Sequence, residues 1–201
     1  MQQIAPGTNK IMKIISNSRF PSVFVLLLAM AATSFILQAA EPPQMGAAAP
    51  DFTLQTMDAK SVTLSAETAK LPVVLVVLRG WPGYQCPLCT RQVHELALQA
   101  EAFAGKARII MVYPGKSENL EAHAGEFLKD KQWPKDFMFV TDPDYTFTKS
   151  YGLRWEAPGE TSYPSTFVID KQGIVQFKKI SKSHGGRATP EEILAVLAKL
   201  Q

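Results

Sequence analysis

Apolar residues change their spacing along this chain, and each change marks an element. Asp51-Phe52-Thr53-Leu54-Gln55 alternates, and so does Ser61-Val62-Thr63-Leu64-Ser65. With Met57-Asp58-Ala59-Lys60 between them, the two runs predict an N-terminal β-hairpin. Val73 to Leu78 is apolar at every position, which suits a central strand covered on both faces. From Pro87 to Ala104 the apolar positions are Val93, Leu96, Ala97, Ala100, Phe103 and Ala104, a three-and-four spacing that predicts one amphipathic helix ended by Gly105. Arg108 to Tyr113 is the next buried strand, closed by Pro114-Gly115. Glu118 to Lys131 reads as a helix, with Leu120, Phe127 and Leu128 facing inward. Phe137 to Val140 is a strand, and Tyr145 to Tyr151 a short helix ended by Gly152. Thr166–Ile169 and Ile174–Phe177 flank a Gly-bearing loop and predict a second hairpin. In the last helix Thr189 caps, Pro190 suits the first turn and Glu192 completes a capping box. The order predicts an α/β protein, a central mixed β-sheet flanked by helices on both faces.

The first 40 residues stand apart. Lys10, Lys13 and Arg19 precede a 15-residue apolar stretch, Val23 to Leu37, followed by Ala39, Ala40 and the Pro-rich Glu41-Pro42-Pro43-Gln44. That layout predicts a secretory signal over residues 1–40, or an N-terminal membrane anchor over 20–40, with the folded domain at 41–201. An exported location, periplasmic or extracellular, follows. The whole chain carries 21 basic and 18 acidic residues, and all three basic residues before Glu41 belong to this segment. The remainder is balanced, which argues against a nucleic-acid partner.

Chemistry concentrates in Trp81-Pro82-Gly83-Tyr84-Gln85-Cys86-Pro87-Leu88-Cys89, which holds the chain's 2 cysteines. A C-x-x-C that follows a buried strand and opens a helix meets unpaired N–H groups and a partial positive charge, and both favour thiolate. The thiolate is the nucleophile. A purely structural disulfide at this spacing would close a very short loop and stabilise little. The residues therefore predict redox chemistry at the carboxyl end of a sheet strand.

A buried strand, a C-x-x-C at a helix start and the late Tyr163-Pro164-Ser165-Thr166-Phe167 together resemble the thioredoxin fold. Ala49-Pro50-Asp51-Phe52-Thr53-Leu54 and Tyr151-Gly152 resemble its peroxiredoxin branch, the alkyl hydroperoxide reductase and thiol-specific antioxidant group. The two branches assign the thiols differently. Peroxiredoxins show a P-x-x-x-T-x-x-C pattern, which Pro82 to Cys89 matches with Cys86 at the threonine. That register implies that Cys89 attacks peroxide and Cys86 resolves. The thioredoxin register implies the reverse. Peroxiredoxins also place an arginine just before the strand that Thr166 opens here, to stabilise the thiolate, whereas this chain has Pro164. Thioredoxin-like relatives carry a cis-proline there, which would leave the Tyr163 backbone free to pair with a bound peptide strand. Nothing in the sequence places Arg79 or Arg154 at the thiols.

The resemblance implies a thiol–disulfide oxidoreductase, and the N-terminal layout makes it an exported one. Cys86 and Cys89 would be catalytic, with Trp81, Tyr84, Pro87, Tyr163 and Pro164 shaping the site. Its only redox group would be the Cys86–Cys89 disulfide, with no other cofactor. Substrates would be protein disulfides or hydroperoxides, with an external thiol as electron donor. A peroxiredoxin-like hydroperoxide reductase is the alternative within that chemistry. A copper carrier using the two thiolates and His184, or a redox-inactive binding module, is the alternative outside it. His94 reads as structural or solvated, and His123 sits on a separate helix with no partner.

Overall fold

The computed structural model describes residues 40–200. The expected signal or anchor lies outside these residues; among them, no helix is long and apolar enough to cross a membrane.

The strands are β1 (Thr53–Thr56), β2 (Ser61–Thr63), β3 (Val73–Val77), β4 (Arg108–Gly115), β5 (Phe137–Pro143), β6 (Ser165–Ile169) and β7 (Val175–Ile180). They form one mixed sheet in the order β2-β1-β5-β4-β3-β6-β7. β3 is parallel to β4 and β4 to β5, while β6 runs antiparallel to β3 and β7 antiparallel to β6. Central β3 is fully buried, and its alternating side chains divide between two cores. Val74, Val76 and Leu78 join one cluster; Val73, Leu75 and Val77 join the other.

The helices are α1 (Leu64–Thr68), α2 (Pro87–Leu98), α3 (Ala100–Phe103), α4 (Leu120–Leu128), α5 (Thr146–Ser150) and α6 (Pro190–Leu197). The apolar stripes of α2, α3, α4 and α6 fill the first cluster, while Leu64 of α1 and Phe147 of α5 enter the second. The mixed sheet with helices on both faces is thus as the apolar pattern predicts.

Three details differ from the pattern. The second alternating run turns helical at Leu64, because the Asp51 carboxylate accepts both the Ser65 N–H (2.9 Å) and its hydroxyl (2.7 Å) and holds that turn. The long helix is divided at Gln99. There the ladder tightens to three-residue steps, Gln99 N–H to Leu96 O and Ala102 N–H to Gln99 O, and Phe103 still reaches the core. α4 is shorter than expected. Ser117 is held by Asp144 outside the helix (N–H to carboxylate, 3.0 Å), and the Lys131 ammonium covers the carboxyl end at Phe127 O. At α6 the capping box is present: Thr189 Oγ1 accepts the Glu192 N–H, and the Glu192 carboxylate accepts the Thr189 N–H.

Topology decides what reaches the end of β3. Val77 pairs with Ser165, the first residue of β6, and Ser165 pairs with Ile180, the last of β7. The segments before β6 and after β7 therefore both arrive where β3 runs out towards Cys86.

Candidate active site

β3 leads through Leu78 and Arg79 into a loop, Gly80–Gln85, that delivers Cys86 to the start of α2. Gly80 has φ +69° and lies so near β4 that a Cβ would sit 1.9 Å from Pro114 O. Only glycine fits that crossing. Trp81 stacks on His123 of α4, with ring centroids 4.0 Å apart and planes 5° from parallel. His123, expected to lack a partner, therefore has one. Gln85 accepts the Tyr113 hydroxyl (3.1 Å) and donates to His123 O (2.8 Å) and Glu126 (3.1 Å). The loop is thus fastened to both β4 and α4.

Cys86 is the N-cap of α2, and Pro87, exposed, is its first helical residue. Both cysteines are free thiols, 3% and 1% exposed respectively. Cys86 Sγ accepts the Cys89 N–H (3.4 Å), and Cys89 Sγ accepts the Arg79 N–H (3.3 Å). Arg187, in the segment after β7, places Nη2 3.6 Å from Cys86 Sγ and 3.4 Å from Cys89 Sγ.

These contacts separate the two thiols electrostatically. A hydrogen bond from the Cys89 thiol is the largest influence on Cys86. The Cys89 N–H and the Arg187 and Arg79 charges add to it, against the opposing effect of burial, and Cys86 is held down to about 5. Burial pushes Cys89 well above the ordinary thiol range, and its hydrogen bond to Cys86 adds to the rise. The contacts therefore favour ionisation at Cys86 over Cys89.

The arginine at the sulfurs is neither of the two considered from the sequence. The Arg79 guanidinium turns away, to Glu160 (2.8 Å) and the Tyr84 hydroxyl (2.6 Å). Arg154 donates to the carbonyls of Trp155, Glu160 and Thr161. One signal in the sequence could have found Arg187. The predicted Thr166–Phe177 hairpin returns the chain to the level of Pro164, so the residues after it end at the same edge as the thiols.

Tyr84 is 47% exposed, and its hydroxyl accepts a hydrogen bond from the Arg79 guanidinium. Tyr163 stacks on Trp155 (4.8 Å), which in turn lies against His184 (5.4 Å). The hydroxyls of Thr161 and Ser162 tie this segment to the end of β3, donating to Arg79 O and Leu78 O. The backbone around buried Pro164 is not free, contrary to the thioredoxin-like expectation. Tyr163 N–H donates to Leu153 O (2.8 Å), Tyr163 O accepts the Ser165 hydroxyl (2.8 Å), and Pro164 O accepts the Ser181 N–H (2.9 Å). The chain's own loops use the positions that a peptide strand would need.

His184 does not join the thiols as a third ligand. Its Nε2 lies 2.9 Å from Glu160 Oε1, and among the described residues no group of three His, Cys, Asp or Glu side chains is arranged to hold a metal ion.

Residues 44–197, the described domain almost in full, match the family model for Redoxin. This chain belongs to the Redoxin family. Among its relatives, the chloroplastic peroxiredoxin Q of Oryza sativa subsp. japonica is 30% identical over 132 residues, which is 66% of this chain and 57% of that protein. The redoxin thus spans a little over half the length of such relatives. The thioredoxin-like protein YneN of Bacillus subtilis is 24% identical over 150 residues, 75% of this chain and 76% of that one. Among solved structures, the peroxidoxin BcpB of Mycobacterium tuberculosis superposes with a TM-score of 0.62 at 20% identity, covering 79% of this chain and 99% of that chain. Reduced 2-Cys peroxiredoxin of Plasmodium vivax gives the same TM-score and identity over 78% of this chain and 81% of that chain. The redoxin is a thioredoxin-fold, peroxiredoxin-like protein.

Proposed function

We propose that this redoxin is an exported thiol peroxidase. It reduces small hydroperoxides with the Cys86–Cys89 dithiol and is returned to the dithiol state by an external thiol. The observation that carries the reading is Arg187 Nη2, within 3.6 Å of both sulfurs in a site where neither cysteine is more than 3% exposed. A guanidinium there stabilises a thiolate and the negative charge that develops as an O–O bond breaks. Burial admits a peroxide more readily than a folded protein, and the occupied backbone at Tyr163 removes a docking strand. Trp81, Tyr84, Pro87, Tyr163 and Pro164 shape access. Export rests on the basic, apolar and small-residue order of residues 1–40.

In the first step the Cys86 thiolate attacks the terminal oxygen of the hydroperoxide. The O–O bond breaks, and the alkoxide or hydroxide leaves and takes up a proton. Cys86 is then a sulfenic acid. The Cys89 sulfur attacks it, the S–O bond breaks, and water departs with the Cys89 proton. The resulting disulfide is reduced by an external dithiol, which becomes oxidised in its turn.

Thiol–disulfide exchange is the second reading, favoured by the Cys86 thiolate at the helix N-cap. One experiment separates the two: stopped-flow mixing of the reduced full chain with hydrogen peroxide, followed by tryptophan fluorescence. A rate far above that of a free thiolate is expected. Cys86→Ser should abolish it, while Cys89→Ser should retain the first oxidation and stop at sulfenic acid. A rate no better than free cysteine, with rapid exchange against a small disulfide, would make this a disulfide exchanger. Loss of the first oxidation in Cys89→Ser alone would move the attack to Cys89.

A further inference from the structure

The segment after β7 has no ladder of its own. Between Ile180 and Thr189 it forms neither helix nor strand, and it contains Gly185-Gly186, with Gly186 at φ +69°. Glycine has more backbone freedom to lose on ordering than any other residue. Yet this segment delivers Arg187. The arginine's Nη2 lies at the two sulfurs, its Nη1 donates to Gln92 Oε1 (3.0 Å), and its Nε donates to His184 O (3.2 Å). The His184 side chain reaches out of the segment. Its ring lies against Trp155, and its Nε2 is 2.9 Å from Glu160 Oε1, in the loop between α5 and β6. The other Glu160 oxygen accepts Arg79 Nε (2.8 Å), and the Arg79 side chain is only 4% exposed. A buried guanidinium thus keeps the carboxylate in place for the imidazole.

We infer that His184 is a positioning residue of this dithiol: its imidazole, gripped by Glu160, anchors the Gly-bearing segment, and its own carbonyl keeps the Arg187 guanidinium on both sulfurs. The path is continuous. It runs from Glu160 to the imidazole, through the His184 main chain to Arg187 Nε, and from Nη2 to sulfur. An ionised carboxylate only accepts, so Nε2 carries a proton whether the ring is neutral or charged, and the anchor needs no titration. A glutamine at position 184 would offer an N–H at a similar reach, and a phenylalanine only the ring. Glu160 is the poorer residue to probe. Its loss would also free the Arg79 charge, which lowers the Cys86 pKa, whereas a loosened Arg187 would raise it. The inference rests on the proposed role of Arg187 and explains how an arginine on an irregular segment, far along the chain from the cysteines, keeps one orientation.

The test follows alkylation of the reduced full chain by iodoacetamide against pH, which reads the thiolate whether the protein is a peroxidase or a disulfide exchanger. Folding of each variant is checked by thermal denaturation. In His184→Phe the midpoint should rise by about half a unit, so that alkylation below the midpoint slows about threefold. His184→Gln should restore the wild-type profile. An unchanged midpoint in folded His184→Phe overturns the positioning role. A midpoint in His184→Gln shifted as far as in His184→Phe overturns the part given to the Glu160 bond. His184→Ala carries the same prediction as His184→Phe and decides the matter if His184→Phe fails to fold. Arg187→Met serves as the control. If it leaves the midpoint in place, the role of Arg187 itself fails, and the inference falls with it. If it shifts the midpoint while His184→Phe and His184→Ala do not, Arg187 keeps its role and the anchor alone is overturned.

Discussion

Cys86 and Cys89 are one helical turn apart, yet they hold their protons very differently. Cys86 caps the helix and receives hydrogen bonds from Cys89; Cys89 is sealed into the core beside Val93 and Leu96. Arg187 lies on both, so its loss removes charge from the reacting sulfur and from the site of O–O cleavage. Arg187→Met is expected to lower the peroxide rate about 100-fold, and Arg187→Lys to recover only part of it, since an ammonium lacks the planar fork that reaches Gln92 and sulfur together. Steady-state peroxide consumption at saturating reductant checks this. Both cysteines are readable from sequence because spacing and helix position carry their chemistry. Arg187 is not readable from spacing, since the peroxiredoxin pattern directs attention to the residue before β6, where Pro164 stands. The guanidinium arrives instead from beyond β7.

At the level of elements, two short segments do the positioning. The Gly80–Gln85 loop passes Pro114 so closely that Gly80→Ala drives a methyl group into backbone, in a left-handed conformation that alanine disfavours. A loss of about 3 kcal/mol is expected, read as a fall of about 10 °C in the melting temperature. The other segment, after β7, carries Arg187 and ends in the α6 capping box. Thr189→Ala should cost about 1 kcal/mol in denaturant unfolding. The same segment is moored to the Trp155–Ser162 loop through Glu160, which holds Arg79 on one oxygen and His184 on the other. Long apolar runs and the α6 cap were legible because burial and capping leave local marks. The α1 turn was not, because its hold comes from Asp51, fourteen positions before the serine that it grips. The occupied backbone at Tyr163 was likewise hidden, since its partner Leu153 comes from a loop whose path no local pattern records.

For the whole molecule, the divided thiols make stability depend on pH in the reduced state. Cys86 titrates lower when folded than when unfolded. It therefore adds stability that is fully present above the ordinary thiol pKa of about 8.5 and is lost as pH falls through about 5. Cys89 titrates higher when folded, so it withdraws stability once pH passes the ordinary thiol value. Urea unfolding of the reduced protein, relative to Cys86→Ser, should show the advantage growing from pH 5 to about 8.5. A flat difference over that range would contradict the assignment of Cys86 as the thiolate.

Placing both sulfurs in one turn of α2 also sets a race. A sulfenic acid on Cys86 meets Cys89 as a neighbour already in place, an encounter equivalent to a very high local concentration, whereas a second peroxide must arrive from solution. Under the proposed cycle, closure to the disulfide is expected to outrun over-oxidation. Under an excess of peroxide, the wild-type mass should show a disulfide with little sulfinic acid, while Cys89→Ser should climb to sulfinic and sulfonic acid. With both sulfurs on one turn of α2, the proposed cycle should leave the chain intact through a burst of oxidant until the reductant returns.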